Sequence, residues 1–263
     1  MTTPCEVHIF SDTEDKSRMV AGKILSRAKE LEKKYNFYNQ ASLLSAINQR
    51  KLSKLDSQTE ELLKRAKQFY NATNSIFDVT MGTLVQARKA SSLEQIEEEK
   101  SRLMPFVGCE HFKIQRHKIV FDNPYTLIDL GGFVKEYAVD MGVKILKRHK
   151  ISSALINFGG DIYALGSKPS GEPFSVGIKN PKNPTEYSLH YEISNQALTT
   201  SASYERNHTV EGKSYSHIIS RSDKEEEVLS ATVIAPSTLE SGIYSTSLMI
   251  EPSLDCPFEK VLL

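Results

Sequence analysis

The sequence predicts an α+β fold, a helical N-terminal part packed on a largely antiparallel β-sheet. Three observations carry this expectation. The first 105 residues or so read mostly as amphipathic helix; from Phe112 the texture changes to short β-rich runs; and Asn, Gly, Pro and Ser punctuate those runs as hairpin connections require. With 263 residues the chain can bury a substantial core. No fixed-period repeat, low-complexity tract or clean boundary divides it. It therefore reads as a single domain over 1–263, with a helix-rich lobe at about 1–105 and a β-rich lobe at about 106–263.

Taken in order, Cys5 to Phe10 reads as a short strand. Glu14 to Lys34 carries Met19, Ile24, Leu25, Ala28 and Leu31 at near-helical spacing among charges, which predicts an amphipathic helix with one face in the core. Asn39 to Asn48, Asp56 to Tyr70 and Leu93 to Met104 read as further helices, the second opened by Asp56-Ser57 as a cap. Strands are expected at Phe112 to Ile114, Ile119 to Phe121 and Tyr125 to Leu130. After a helix over Phe133 to Arg148, more follow at Ala154 to Phe158, Ile162 to Leu165, Phe174 to Ile178, Tyr187 to Ile193 and Leu229 to Ile234.

The 33 basic and 33 acidic residues cancel, so no overall field draws the chain to nucleic acid or an anionic membrane. The three cysteines, Cys5, Cys109 and Cys256, form no C-x-x-C pair and suit reduced buried thiols better than disulfides or a thiolate metal site. No apolar run is long enough to span a bilayer, and no basic segment followed by an apolar one opens the chain. As given it reads as cytoplasmic, or as periplasmic or membrane-anchored if a leader was removed.

The segment Leu127-Ile128-Asp129-Leu130-Gly131-Gly132-Phe133-Val134-Lys135 joins an apolar run to a helix through two glycines, with a lysine in the first turns. Glycines let a ligand approach the backbone, and free N–H groups at a helix start favour an anion. The spacing matches neither the Walker loop nor the dinucleotide fingerprint, so a tight strand-to-helix connection is the commoner reading of the segment alone.

With Asp129 to Asp140, other compact polar and glycine segments stand in order along the chain: Met1-Thr2-Thr3, Phe37 to Asn48, Phe77 to Val85, Ala154 to Gly166, Ala197 to Arg206, Ser216-His217-Ile218-Ile219, and Ala231 to Pro236 leading to Ser245-Thr246. Together they resemble the ApbE-type family of FAD:protein FMN transferases, flavin transferases formerly described as thiamine-biosynthesis lipoproteins, over essentially the whole chain. The resemblance implies FAD as substrate, Mg²⁺ as the metal, and transfer of FMN to a Ser or Thr of an acceptor flavoprotein carrying a flavinylation motif, with release of AMP. It places Met1, Tyr38, Ile76, Phe77, Asp78, Asp129, Gly131, Lys135 and Ile219 at flavin contacts. Gly132, Ser245 and Thr246 fall at the metal, with Lys135 and His217 as catalytic groups. Taken singly, Tyr38 also reads as a packing residue and Asp78 and Asp129 equally as turn or cap residues, whereas Lys135 is most often a solvated helix lysine and His217 more often a satisfied strand histidine.

The resemblance breaks at the metal motif. Family members keep an acidic residue four positions before the threonine, and here that position is Gly242, with Glu240 and Asp161 as substitute carboxylates. Ser220-Arg221-Ser222-Asp223 replaces the family's Asp-Pro and Thr-Gly turn, Ala202 replaces a glycine, and the chain has no tryptophan. Three expectations follow: a working flavin transferase with a rearranged metal site, favoured because Asp78, Asp129, Lys135 and His217 remain together; a member that binds a flavin nucleotide without efficient transfer; and a scaffold that reuses the fold.

Overall fold

The computed structural model describes residues 3–85, 87, 92–202, 207–210, 213–216 and 228–263. The chain forms two compact units, neither continuous in sequence. The first comprises Met1–Lys33, Gly132–Tyr204 and Lys224–Leu263; the second comprises Lys34–Gly131 and Glu205–Asp223. The helix rich in charges near the N-terminus thus belongs to the same unit as the strands that follow residue 131.

The first unit is built on a six-stranded sheet. With elements numbered along the chain, its order is β1 (Cys5–Phe10), β4 (Ser153–Phe158), β5 (Asp161–Leu165), β8 (Gln196–Ala202), β11 (Ser230–Ala235) and β12 (Glu259–Leu262). Every neighbouring pair is antiparallel. The alternating burial of β4, with Ala154, Ile156 and Phe158 inward, is what a period-2 pattern with one core face produces. Three helices, α1 (Glu14–Tyr35), α6 (Gly131–Arg148) and α7 (Thr238–Ile250), contribute to the core on that side. Gly142 of α6 lets the helix come close: a Cβ there would lie 2.8 Å from Ile156 Cδ1 and 3.0 Å from Ile24 Cγ2. The Ser241 hydroxyl of α7 donates to the Val233 carbonyl of β11 at 2.6 Å, while Tyr244 and Leu248 pack with Ala231, Val233 and Ala235. On the opposite face, Phe174 and Val176 of β6 (Phe174–Asn180) and Ile193 of β7 (Asn183–Ile193) cover Ala164, Leu198 and Ile234.

The second unit contains α2 (Leu43–Asn48), α3 (Ser57–Ala72), a 3-10 turn at Val79–Met81, α4 (Gly82–Val85) and α5 (Leu93–Leu103). It also holds the hairpin β2 (Phe112–Gln115) with β3 (Lys118–Phe121), and the pair β9 (Asn207–Val210) with β10 (Lys213–Ser216). As expected, Asp56 caps α3: its carboxylate accepts from the Thr59 backbone N–H at 3.0 Å and from Lys34 Nζ at 2.9 Å.

Two expectations need correction, and one strand was not expected. Tyr125 to Leu130 is not a strand, because side chains take the place of a neighbouring strand. The Asn48 amide both donates to the Ile128 carbonyl (2.8 Å) and accepts from its N–H (2.9 Å), and Thr83 Oγ1 accepts from Leu127 N–H (2.9 Å). A primary amide presents the same donor and acceptor as a peptide unit, so the backbone of Ile128 is satisfied without a ladder. Helix α2 starts only at Leu43 because Ser42 accepts from Ser45 N–H at 3.0 Å, whereas Asn36 and Asn39 side chains close turns before it. Gln196 to Ala202, which carries no strong strand signal, is the central strand β8.

Candidate functional site

At the Gly-Gly turn, Asp129 Oδ1 accepts from Gly131 N–H at 2.8 Å, holding the chain where it enters α6. Gly132 departs from helical geometry (φ −90°, ψ 23°), so the first turn of α6 is kinked. Both glycines are exposed, and nothing lies within 4 Å of where a Gly132 side chain would begin. Burial raises the Asp129 carboxyl above its usual range, and the bond from Gly131 offsets only part of this. A carboxyl whose folded pKa is raised binds more protons folded than unfolded, so its ionisation costs stability as pH rises through that range. Asp129→Asn is accordingly expected to melt higher than the native protein at neutral pH, with the difference closing below the ordinary Asp pKa of about 3.9. Thermal melts at both ends of that range check it, and an equal or lower melting temperature at neutral pH would contradict it.

In the second unit, Asp78 caps the 3-10 turn. Its Oδ1 accepts from the Thr80 N–H (2.8 Å) and hydroxyl (2.6 Å) and from the Cys109 thiol (3.6 Å), and Thr80 Oγ1 in turn accepts from Gly108 N–H (2.7 Å). Burial, and then the Asp78 charge, push the Cys109 thiol far up, which makes it a poor nucleophile or metal ligand. Gly82 allows a close approach, since a Cβ there would lie 3.0 Å from Asp129 Cβ. Phe77 is buried and Ile76 partly so, whereas Tyr38 is 75% exposed, its ring edge-on to Phe37 at 5.4 Å. An exposed aromatic with a polar tip is suited to stacking against a planar ligand.

In the first unit, a group of oxygen donors and charges gathers on the helix-covered face of the sheet. Lys135 of α6 forms an ion pair with Asp161 of β5 at 2.8 Å, the Asp161 side chain being only 2% exposed. Thr199 of β8 stands directly across from Asp161 in the sheet register. Its hydroxyl is buried with no hydrogen-bond partner among the described residues. Two residues on, the Ser201 hydroxyl lies 2.9 Å from Ser245 Oγ and 3.1 Å from Thr246 Oγ1 of α7, and Ser245 Oγ donates to the Gly242 carbonyl at 3.0 Å.

The position of α7 is set by its caps. Ser237 accepts from Glu240 N–H (3.2 Å) and donates to the Glu240 carboxylate (2.6 Å), while Asp140 of α6 accepts from Thr238 N–H (2.8 Å) and Leu239 N–H (3.2 Å). One turn before Asp140, Glu136 is 4% exposed, and its side chain fills the space that Gly242 leaves. A Cβ on Gly242 would lie 2.5 Å from Glu136 Cγ and 3.3 Å from its Oε1. The two contacts, 140 with 238–239 and 136 with 242, fix an antiparallel register of α6 against α7.

Among the sequence-nominated residues, Lys135, Gly132, Ser245 and Thr246 lie in the first unit; Tyr38, Ile76, Phe77, Asp78, Asp129 and Gly131 lie in the second. Met1, His217 and Ile219 are outside the described residues. Of the two substitute carboxylates, Glu240 is engaged at the α7 cap and Asp161 by Lys135. Sequence reasoning missed Glu136, Thr199 and the capping role of Asp140. The last had a signal, an acid closing the glycine-rich helix segment, but the others had none. Among the described residues no three His, Cys, Asp or Glu side chains gather as a metal site. The donors near α7 are hydroxyls, a carbonyl and one buried carboxylate, all hard oxygens that suit a divalent cation such as Mg²⁺ rather than zinc. No described helix is long and apolar enough to cross a membrane.

Comparison with known proteins follows this geometry. The chain is 29% identical to the FAD:protein FMN transferase of Escherichia coli strain K12 over 195 residues, 68% of this chain and 54% of that protein. It thus spans about half the length of that relative. It is 26% identical to the FAD:protein FMN transferase of Vibrio cholerae over 233 residues, 84% of this chain and 70% of the other. Among solved structures, the ApbE protein of Thermotoga maritima superposes with a TM-score of 0.88 at 24% identity, covering 99% of this chain and 90% of that one. The flavin transferase ApbE of Vibrio cholerae gives 0.80 at 22%, covering 100% and 94%. These likenesses establish an α+β, ApbE-like fold, and the profile of the ApbE family matches residues 1–255, nearly the whole chain. The chain belongs to the ApbE family.

Proposed function

We propose that this protein is an FAD:protein FMN transferase. The observation that carries the reading is its match to relatives of that name across 68% to 84% of its length. It is supported by the Gly-Gly turn that opens α6, the buried Lys135–Asp161 pair and the hydroxyl cluster on α7. In this reaction the hydroxyl oxygen of an acceptor Ser or Thr attacks the phosphorus on the FMN side of the FAD pyrophosphate. A phosphoester bond forms, the bond from that phosphorus to the bridging oxygen breaks, and AMP leaves with that oxygen.

His217 takes the hydroxyl proton, since a group titrating near neutral pH suits that task. Lys135, fixed by Asp161, offers its ammonium to the phosphate oxygens as charge builds on the leaving AMP. Gly131 and Gly132 leave the backbone open to close approach by the pyrophosphate. Tyr38 presents a face on which an aromatic ring system stacks, and Asp78 and Asp129 are the polar groups assigned to the flavin. Gly132, Ser245 and Thr246 would hold Mg²⁺, which when bound would supply charge neutralisation at the pyrophosphate.

A second reading, a family member that binds flavin nucleotide without efficient transfer, is favoured by one observation, the glycine at 242. Flavin fluorescence titration tests the part common to both. Quenching that saturates with FAD is expected, and its absence across a wide concentration range would exclude both.

A further inference from the structure

Within the second unit, the hairpin β2–β3 and the stretch Ser53 to Leu55 form a small three-stranded face. Leu55 N–H donates to the His117 carbonyl and Ile119 N–H to the Ser53 carbonyl, both at 2.9 Å, which sets Lys54 directly across from Lys118. A pair flanked by hydrogen bonds in this way is the closer of the two antiparallel kinds, with Cα atoms about 4.5 Å apart. Opposite residues share a face, so two ammonium groups stand side by side, an arrangement that destabilises a sheet unless an anion neutralises it. On the other side of Lys118 stands Gln115, and Lys113 stands across from Val120, all on that face. The three lysines and Gln115 are exposed, and Val120 is 53% exposed.

Arg116 adds a cation at the turn. Arg116 and His117 have φ of 48° and 61°, where Gly and Asn are favoured, so the hairpin carries these side chains at a backbone cost. An open depression of about 700 Å³ is lined by Gln115, Arg116, Lys118 and Val120. The carboxylates of the neighbouring elements are engaged elsewhere: Asp56 by Lys34, Glu60 by Lys64 and His117, and Asp122 by His111. Among the described residues, Lys54, Lys113, Arg116 and Lys118 form no ion pair. A chain without net charge thus concentrates four uncompensated cations in one place.

The spacing selects the kind of anion. Side chains on one face of a strand repeat at roughly 6.6 Å, and neighbouring strands lie about 4.8 Å apart. Acidic residues at alternate positions of an extended polypeptide repeat at the same interval. The face offers no aromatic ring for a base to stack on, and Val120 alone among its residues is apolar, too little to anchor in a bilayer.

We propose that this face docks an acidic segment of a protein partner, and that the partner is the acceptor flavoprotein. The identity of the partner rests on the transferase reading, which requires a second protein to approach the chain. The face and the residues assigned to the flavin belong to one unit: Asn48, shortly before Ser53, holds Ile128, and Ile128 precedes Asp129.

The test uses the full chain and a fluorescein-labelled peptide of alternating Glu and Ser, followed by fluorescence anisotropy across a salt series. Saturable binding that weakens as salt rises is expected. Lys54→Gln combined with Lys118→Gln is expected to weaken it roughly tenfold. The same double variant is expected to melt no lower than the native protein, because it removes a like-charge pair, so the loss is one of binding and not of fold. Lys29→Gln combined with Lys33→Gln, an equal change of charge at exposed positions of α1, is expected to bind the peptide as the native protein does. In the transfer reaction at saturating FAD, the Lys54/Lys118 double variant is expected to raise KM for the acceptor roughly tenfold and leave kcat near native. Native-like peptide affinity in that variant, or an equal loss in the α1 variant, would overturn the inference. So would dependence on Lys54 and Lys118 of binding to phosphatidylserine–phosphatidylcholine vesicles or single-stranded DNA without peptide binding, or of a dimer seen by light scattering. Face-dependent peptide binding with an unchanged KM would overturn the assignment to the acceptor. Face-dependent peptide binding with no FMN transfer by the native chain would count against the transferase reading alone.

Discussion

Lys135→Ala is expected to cost the fold about 3–5 kcal/mol, the usual result of stripping one partner from a buried ion pair. The magnitude comes from Asp161, whose side chain is 2% exposed and lies on the core side of β5, where no solvent can replace the lost ammonium. The lysine itself is 23% exposed, which places the effect toward the lower end of that range. Asp161→Asn in the same background should restore much of the loss, because it removes the stranded charge rather than the lysine alone. Urea unfolding of the native protein, both single variants and the double variant checks this. Additive losses, with no recovery in the double variant, would show that the pair contributes little. In binding, the same Lys135→Ala should weaken FAD by about 1.5–3 kcal/mol, the size of a charge-assisted contact. Lys135→Ala combined with Asp161→Asn, being the better folded, is the protein in which to measure that loss.

The second large effect concerns the proton. If an acceptor hydroxyl must be deprotonated for FMN to move, His217→Ala should lower the transfer rate by about 10²–10⁴-fold and leave FAD affinity nearly unchanged. The native pH profile should rise through the histidine range, where the imidazole loses its proton and becomes able to accept one, and the variant should lose that limb. Rates of AMP release against pH in the two proteins check it. An unchanged rate would remove His217 from the mechanism.

How much of this was legible in the sequence depended on whether the cause was local. Strands β1, β4, β5 and β6 are legible because each carries its own signal, a short β-prone run bounded by turn residues. Helices α1, α3 and α5 were legible for the same reason, and the Asp56 cap was too. Strand β8 was not, because Thr199, Thr200 and Ser201 form a polar run that becomes a central strand only through its neighbours β5 and β11. The run Tyr125 to Leu130 reads as a strand because it is a short β-prone run, yet Leu127 and Ile128 bond to the side chains of Thr83 and Asn48, far away in sequence.

The site divides in the same way. Lys135, Asp129 and the two glycines stand in one short segment and were found together. Glu136 stands in that segment too and was passed over, since a glutamate among helix residues reads as solvated. Its burial is decided by a glycine on α7, a complement that no local pattern encodes. Gly242 reads in the sequence as the loss of an acidic side chain; in the structure it is also the space that the Glu136 side chain fills.

The central claim is that this chain transfers FMN from FAD to a protein hydroxyl. The most direct test is to incubate the full chain with FAD, Mg²⁺ and an acceptor flavoprotein bearing a Ser/Thr flavinylation site, and to follow AMP release alongside covalent flavin fluorescence on the acceptor. The account predicts that both appear together in equal amounts, and that both vanish when the acceptor Ser or Thr is replaced by Ala. Saturable FAD binding with neither AMP nor covalent flavin, across several acceptors and saturating Mg²⁺, would contradict it and leave a flavin-binding member of the family.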